Sequence, residues 1–159
     1  MSKITFINDK NYLALVLPFK CKILSSAVLN GGLSEVKSLL NLKVDKHTSS
    51  PILAPDVTLN DKSMELKLPS PITGMMTAAL TEALIMLTES KVTVLRDNEV
   101  LSPISGLPAS GTGTDSHAVF CPKDDNQIEY CGKHTLLGEL IGKAVTKACS
   151  ISIWKCLSL

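Results

Sequence analysis

The apolar periodicity of residues 73–97 constrains the fold of this chain more than any other feature. The run TGMMTAALTEALIMLTES carries apolar side chains three and four positions apart, the spacing of one helix face, and Thr73 suits its N-cap. The next segment, KVTVLRD, favours a strand by composition, but nothing breaks the helix before it. We therefore expect one helix ending near Asp97, with a buried face formed by Met76, Ala79, Leu80, Ala83, Leu84 and Leu87.

A second helical pattern starts at Thr135, the predicted cap, and extends to about residue 149. Gly138 and Gly142 lie one turn apart on it, so another element can approach this helix closely. Its expected buried face consists of Leu136, Leu137, Leu140, Ile141, Ala144, Val145 and Ala148.

Strand patterns fill the first part of the chain and the segment between the helices. KITFIN and YLALVLP predict a hairpin or two consecutive strands, and CKILSSAVLNGG predicts a third strand ending in an Asn-Gly-Gly turn. LSEVKSLLNLKVD fits either a helix or a strand, and residues 46–71 predict a loop with one short strand, SMELKLP. After the loop SPISGLPASGTGTD, the turn KDDNQ separates two predicted strands, SHAVFCP and IEYCG.

These elements predict an α+β fold in which an antiparallel or mixed sheet packs against two principal helices. The length of 159 residues suits a single domain over residues 1–159, and the 45% of apolar residues supplies its core. A net charge of +1 without a basic run argues against a nucleic-acid partner. The 4% of aromatic residues also argues against a base-stacking surface.

Cysteine usage and the short apolar runs favour the cytoplasm. The five cysteines include no CxxC pair, which indicates buried free thiols in a reducing compartment. The N-terminal segment lacks the apolar core of a signal peptide, and the most apolar run, TAALTEALIMLTES, is interrupted by Glu82. We therefore expect no membrane partner, and the oligomeric state stays open.

The segment GTGTD places two Gly-Thr pairs directly before an acid. Gly111 and Gly113 let backbone N–H groups turn toward a ligand, and Thr112 and Thr114 offer hydroxyl donors or a nucleophile. Asp115 has the chemistry to orient or activate a water molecule. The alternative is structural: the same residues make turn hydrogen bonds at the entrance to a strand.

The segment GKHT is the second polar patch. Histidine titrates near neutrality, so His134 is the best candidate for proton transfer. Lys133 can stabilise an oxyanion or a carboxamide, and the helix N-terminus at Thr135 favours an anion. The alternative is a solvated helix cap with an exposed histidine.

Other candidate chemistries have weaker support. Glu139 and Lys143 have the spacing of a surface ion pair on one helix. Asp115, His134 and Glu139 are metal-ligand types, but no HExxH-like spacing supports a site, so we predict no metal. The Gly-Thr segment is not a nucleotide-binding Walker A loop, because no Gly-Lys-Ser/Thr follows it.

Two C-terminal segments resemble motifs of the adenosylcobinamide amidohydrolase (CbiZ-like) family. SGLPASGTGTDSHAVF is similar to a Thr- and Gly-rich stretch of that family that ends in an acid. YCGKHTLLGELIGKAV is similar to its Gly-Lys-His-Thr segment and the helix that follows. Weaker similarity lies in LSSAVLNGG, GMMTAA and TESK. Glu89 and Lys91 of TESK point in different directions on a helix, so one of them is expected to face the site.

The chain departs from the family pattern in its centre. In the family, a long stretch with a Thr-x-Gly-x-x-Asn-Ala and a Gly-Thr-Ile-Asn segment separates the GMMTAA-like and TESK-like segments. Here TGMMTAAL runs directly into TEALIMLTESK, and neither segment is present. The final ACSISIWKCLSL has no recognisable family feature.

The resemblance implies an amide hydrolase that converts adenosylcobinamide to adenosylcobyric acid and aminopropanol in corrinoid salvage. The corrinoid would be the substrate, with no cofactor. The missing stretch leaves an alternative, a catalytically inactive corrinoid-binding or scaffold protein of the same fold. The expected catalytic residues are Asp115, His134 and Glu89, and the expected substrate-binding residues are Asn30, Gly31, Lys91, Gly111, Thr112, Gly113, Thr114, Lys133, Thr135 and Glu139.

Overall fold

Strands and helices follow one another along the chain as the α+β prediction requires. The computed structural model describes residues 3–9, 12–26, 31–42, 63–67, 74–111, 117–125 and 127–157. In these residues the fold prediction is confirmed. The elements are β1 (Lys3–Asn8), β2 (Tyr12–Ser25), β3 (Gly32–Leu42), β4 (Ser63–Lys67), β5 (Gly74–Met75), α1 (Thr77–Asp97), β6 (Ala118–Pro122), β7 (Gln127–Ile128) and α2 (Leu136–Leu157).

The long strand β2 organises the main sheet. It pairs antiparallel with β3 along one edge, whereas on its other edge β1 pairs with its first half and β6 with its second half. Strand β4 lies outside β1. The predicted separate third strand in CKILSS is therefore wrong. Residues 21–25 continue β2 after a shift in register between Val16 and Cys21, which accommodates Pro18 and its missing N–H.

Strand β3 resolves the ambiguous segment LSEVKSLLNLKVD. Val36, Ser38 and Leu40 are buried, while Glu35 before them and Lys37 among them are exposed, so burial alternates with a period of two. The pairing with β2 thus overrides the helical spacing of the leucines. The predicted strand SMELKLP is confirmed as β4, and residues 46–62 and 68–71 of the predicted loop lie outside the described residues.

The sheet contributes to apolar clusters on both of its faces. One cluster joins three of its strands, and the other lies between the sheet and α1 with Leu24 and Val119 packed against it. Because successive residues of a strand point to opposite faces, Cys21 and Ile23 join the first cluster while Leu24 joins the second. The buried residues of the first cluster are Ile4, Leu17, Cys21, Ile23 and Val36, and those of the second are Met75, Ala79, Leu80, Ala83, Cys121 and Cys131.

Helix α1 starts later than predicted and ends as predicted. Gly74 and Met75 form β5, which pairs in parallel with β7, and the Met76 N–H donates to the carbonyl of Ile128 at 2.9 Å. The N-cap is therefore Met76, without a side-chain cap bond, and not Thr73, which lies outside the described residues. At the other end Asn98 caps the helix. On the predicted buried face, Ala79, Leu80 and Ala83 are fully buried, Leu84 and Leu87 are partly buried, and Met76 is exposed.

Strand β6 confirms SHAVFCP, but the predicted strand IEYCG is wrong. Only Gln127 and Ile128 are extended, and they pair with β5 instead of β6. The backbone donors that follow are used elsewhere. The Cys131 N–H donates to the carboxylate of Glu82, and residues 132–135 form a turn into α2.

Helix α2 is longer than predicted, and its buried face differs from the predicted one. It reaches Leu157, and Leu137, Ile141 and Val145 are partly buried. The other predicted core positions, Leu136, Leu140, Ala144 and Ala148, are exposed. The face toward α1 is instead the glycine face, since Gly142 lies beside Met86 and Ser90. Within the described residues, neither helix contains an apolar stretch long enough to cross a membrane.

The close approach of the Cys131 and Gly132 backbone to Gly138 gives a stability prediction. A Cβ at this position would lie 2.6 Å from the carbonyl oxygen of Cys131 and would overlap that of Gly132, both of which are backbone atoms. We expect Gly138→Ala to lower the free energy of unfolding by about 1–3 kcal/mol in urea denaturation. Gly142→Ala is the matched control, because its Cβ would meet only Met86 Cε at 3.4 Å and Ser90 Oγ at 3.5 Å. That variant should match or exceed the wild type by up to about 1 kcal/mol. Equal losses in both variants would contradict the prediction.

Candidate functional site

The turn before α2 is fixed by Thr135, as the sequence predicts. The Thr135 side-chain hydroxyl accepts the N–H of Gly138 at 3.0 Å and donates to the carbonyl of Gly132 at 2.8 Å. The Thr135 N–H donates to the same carbonyl at 2.9 Å. This is an N-cap with a closed turn in front of it, so Lys133 and His134 are held between two hydrogen-bonded ends.

Glu82 of α1 anchors the start of this turn. One carboxylate oxygen accepts the N–H of Cys131 at 2.5 Å. A Cβ at Gly132 would lie 3.4 Å from the other oxygen of Glu82, 3.1 Å from His134 Cε1 and 3.2 Å from His134 Nδ1. The carboxylate of Glu82 and the imidazole of His134 therefore flank the same side of Gly132.

Glu89, two helical turns after Glu82, holds the lysine of the same turn. Lys133 Nζ lies 3.0 Å from one carboxylate oxygen of Glu89 and 2.8 Å from the other. Both side chains are largely solvent-exposed, so the pair fixes position more than it stabilises the fold. The structure thus brings together four predicted site residues, Glu89, Lys133, His134 and Thr135.

Beside this turn, a groove of about 510 Å³ runs between the two helices. Glu89 lies at its α1 side together with the hydroxyls of Ser90 and Thr93. Lys143 and Lys147 of α2 lie on the opposite side. The groove therefore offers hydroxyl and ammonium groups next to the salt bridge of Lys133.

Lys91 and Gly111 occupy a different place. Because residues two apart on a helix differ by about 200° in direction, Lys91 lies on the side of α1 away from Glu89. It lines a cavity of about 690 Å³ with the segment that ends at Gly111. Gly111 has a φ of 145°, in the region that favours glycine.

Glu139 pairs with Lys143 at 2.5 Å, the surface ion pair that its spacing indicates. The hydrogen bond from the Lys143 ammonium, with its charge, lowers the pKa of the Glu139 carboxyl. Both partners are exposed, so we assign this pair no stabilising role.

The described residues next to the remaining candidates lie at one end of the sheet. Ser26 and His117 join β2 and β6 there, with the Ser26 N–H donating to the His117 carbonyl and the His117 N–H donating to Ser26 Oγ, both at 2.9 Å. Gly31 immediately precedes β3, and Gly32 has the positive φ, 85°, of the predicted turn. Asn30, Thr112, Gly113, Thr114 and Asp115 lie outside the described residues.

Sequence reasoning missed Glu82. It was noted only because it interrupts an apolar run, yet it lies one residue from Ala83 and three from Ala79, both fully buried. A carboxylate beside the buried face of a helix needs a hydrogen-bond partner, and this is the signal that identifies it. Its spacing of seven residues from Glu89 places both carboxylates on the same face.

Buried thiols lie close to the site. Burial raises the pKa of the Cys131 thiol, and the neighbouring Glu82 carboxylate raises it further. Burial, followed by the nearby Cys121, raises the pKa of Cys21 to about 11. Among the described residues, no group of three or more histidine, cysteine or acidic side chains is arranged to hold a metal ion.

The turn before α2 thus carries an imidazole near the Glu82 carboxylate and an ammonium group paired with Glu89. Comparison of the sequence with known families identifies the protein family. The chain belongs to the adenosylcobinamide amidohydrolase (CbiZ) family, whose profile matches residues 2–82 and, separately, residues 78–158. The two partial matches overlap at residues 78–82.

A curated relative is an uncharacterized protein of Methanocaldococcus jannaschii. It is 35% identical over 71 residues, which are 44% of this chain and 28% of the relative. The chain thus matches little more than a quarter of the length of that protein. No solved structure matches the chain with comparable significance.

The bond from Cys131 to Glu82 gives a second prediction. Glu82→Ala leaves a partly buried N–H without its partner, so we expect a loss of about 1–3 kcal/mol in the free energy of unfolding. Glu35→Ala is the matched control, because that carboxylate is exposed and pairs with the exposed Lys123. It should cost no more than about 1 kcal/mol. Comparable losses in urea denaturation would refute the anchoring role of Glu82.

Thiol accessibility gives a third prediction. Cys21, Cys121 and Cys131 are buried, whereas Cys149 is only partly buried. Burial also raises the pKa of the three buried thiols. Native protein treated with iodoacetamide at pH 8 should therefore carry label on Cys149 well before these three. Peptide mass spectrometry measures the order, and equal labelling rates for Cys131 and Cys149 would contradict the packing of the turn.

Proposed function

We propose that the chain hydrolyses the amide that joins the aminopropanol arm of adenosylcobinamide to the corrinoid. Membership of the family supports the reaction class. The observation that carries the assignment to residues is the cluster of His134, Lys133, Glu82 and Glu89 at the start of α2. The corrinoid is the substrate in this proposal, and no cofactor is required.

His134 exchanges protons in the proposed reaction. Its exposed imidazole takes a proton from the attacking water and returns one to the nitrogen of the leaving aminopropanol. The carboxylate of Glu82 lies on the same side of Gly132 as this imidazole.

Lys133 and the helix start supply positive charge. The Lys133 ammonium, held by Glu89, and the N–H groups at the start of α2 both favour an oxyanion developing on the amide carbonyl. Glu89 is thereby given a positioning role, since its carboxylate is occupied by the lysine. The groove beside Glu89 offers hydroxyl and ammonium partners to the polar periphery of the substrate.

The Gly111–Thr114 segment binds the reacting carbonyl, and Asp115 assists the proton transfers, as the sequence predicts. The positive φ of Gly111 supports a sharp entry into this segment, because other residues rarely adopt that conformation. Asn30 and Gly31 are assigned to substrate binding from sequence. A single domain acting in the cytoplasm stays part of the proposal.

The reaction gives a fourth prediction. Purified protein incubated with adenosylcobinamide should release adenosylcobyric acid and aminopropanol, which chromatography separates. His134→Ala and Asp115→Ala should each lower kcat at least about a hundredfold if they transfer protons. Lys133→Ala should lower it by a similar factor if its ammonium faces the oxyanion.

Lys123→Ala is the matched control for the lysine. Lys123 also forms an exposed salt bridge, 2.6 Å from Glu35, but at the sheet and not at the helix start. It should leave kcat unchanged. A folded wild-type protein that binds cobinamide without turnover would instead favour the catalytically inactive form of the family.

A further inference from the structure

Strand β3 forms one edge of the main sheet. It pairs with β2 from Gly32 to Leu42, except at the register shift beside Lys37, and among the described residues no strand pairs with its other side. An edge strand presents a row of backbone N–H and C=O groups that a further strand can bind. With 11 residues, β3 is longer than most strands, so the row that it presents is a long one.

The side chains at positions 33, 35, 37 and 39 share one face of β3, because successive residues of a strand point to opposite faces. Leu33 is 51% exposed, and Glu35 and Lys37 are exposed as well, whereas Leu39 is partly buried. The order along this face is therefore apolar, acidic, basic and apolar.

The two charges at this edge differ in their partners. The carboxylate of Glu35 lies 2.6 Å from Lys123 Nζ, and the hydrogen bond from that ammonium lowers the pKa of the Glu35 carboxyl. Lys37 forms no ion pair among the described residues. The edge thus carries an ionised carboxylate and, two residues further on, an ammonium group without a partner.

This order is self-complementary when two copies of β3 pair antiparallel about a two-fold axis at Val36. Glu35 of each copy then lies opposite Lys37 of the other, and Leu33 of each copy lies opposite Leu39 of the other. Oppositely charged and apolar cross-strand pairs stabilise a sheet, whereas like charges directly opposite each other destabilise it. An overlap of residues 33–39 would also supply about six to eight backbone hydrogen bonds between the copies.

The neighbouring symmetric registers lack this match. The backbone groups that face a partner alternate along a strand, so two identical antiparallel strands pair about an axis at a residue. An axis at Glu35 places two carboxylates opposite each other, and an axis at Lys37 does the same with two ammonium groups. The charges therefore favour the register centred on Val36 over both neighbours.

We infer that β3 is a dimerisation edge, at which a second copy of this chain pairs antiparallel about Val36 and continues the main sheet. Main-chain hydrogen bonds hold the two copies together, while Glu35 and Lys37 select the register. The inference is independent of the proposed reaction, because none of these residues belongs to the cluster at the start of α2.

The test is sedimentation velocity of the full-length protein at concentrations up to about 100 μM, where the wild type should form dimers that dissociate on dilution. Lys37→Glu and Glu35→Lys should each raise the dimer Kd at least about tenfold, because two symmetry-related pairs change from attraction to repulsion. An equimolar mixture of the two variants should form dimers again. In that mixture one copy carries only acidic side chains at the two positions and the other only basic ones.

Lys147→Glu is the matched control, because it makes the same change of charge at an exposed lysine of α2. It should leave the dimer Kd unchanged. The pair of Glu35 with Lys123 is exposed and contributes little stability, so all three variants should fold, and equal melting temperatures would show this.

Three results would overturn the inference. The first is a wild type that stays monomeric up to about 100 μM. The second is a dimer that both charge variants leave intact, as expected if the copies associate through exposed apolar side chains of α2. Leu140, which is 52% exposed, tests that surface, since Leu140→Ser would then dissociate the dimer. The third is a mixture of the two charge variants that remains monomeric, because the Glu35–Lys37 register requires their association.

Discussion

The arrangement at the start of α2 depends on one steric contact, the approach of the backbone of Cys131 and Gly132 to Gly138. No side chain fits at residue 138, so the turn lies directly against the first turn of the helix. Thr135 then caps the helix from within the turn, and Glu82 accepts the N–H that the turn leaves free at Cys131. Glycine at one position therefore determines where Lys133 and His134 lie relative to both carboxylates of α1.

The long strand β2 couples the main sheet to helix α1. Because β1 and β6 share one edge of the long strand β2, the second half of β2 is free to pair with β6. The pairing ends at the hydrogen bonds between Ser26 and His117. The same strand supplies Leu24 to the apolar cluster beneath α1, which couples the sheet to the helix that carries Glu82 and Glu89.

Periodicity predicted both helices and the fold class, because apolar spacing reflects burial against a common core. It misplaced part of the buried face of α2, where Gly142 lies against Met86 and Ser90 of α1 and carries no hydrophobic signal. It also gave a strand to residues 128–132, since local propensity cannot reveal that the Cys131 N–H is satisfied by Glu82, 49 residues away. The motifs located His134 and Lys133, whereas Glu82 became a site residue only through its tertiary contact. Candidate residues 112–115 were predicted from sequence alone.

The two family matches meet at a junction inside α1, so a single helix joins both motif regions on one scaffold. The overlap of the two family matches, residues 78–82, lies in the first two turns of the helix. Ala79 and Leu80 within it and Ala83 just after it are all fully buried, so the apolar face continues in phase across the junction. A helix advances about 1.5 Å and 100° per residue, so this continuity fixes Glu89 relative to the segment before the junction. A junction in a loop would leave that relation undefined, whereas a junction in a buried helix keeps the carboxylates of α1 aligned with the turn that they hold.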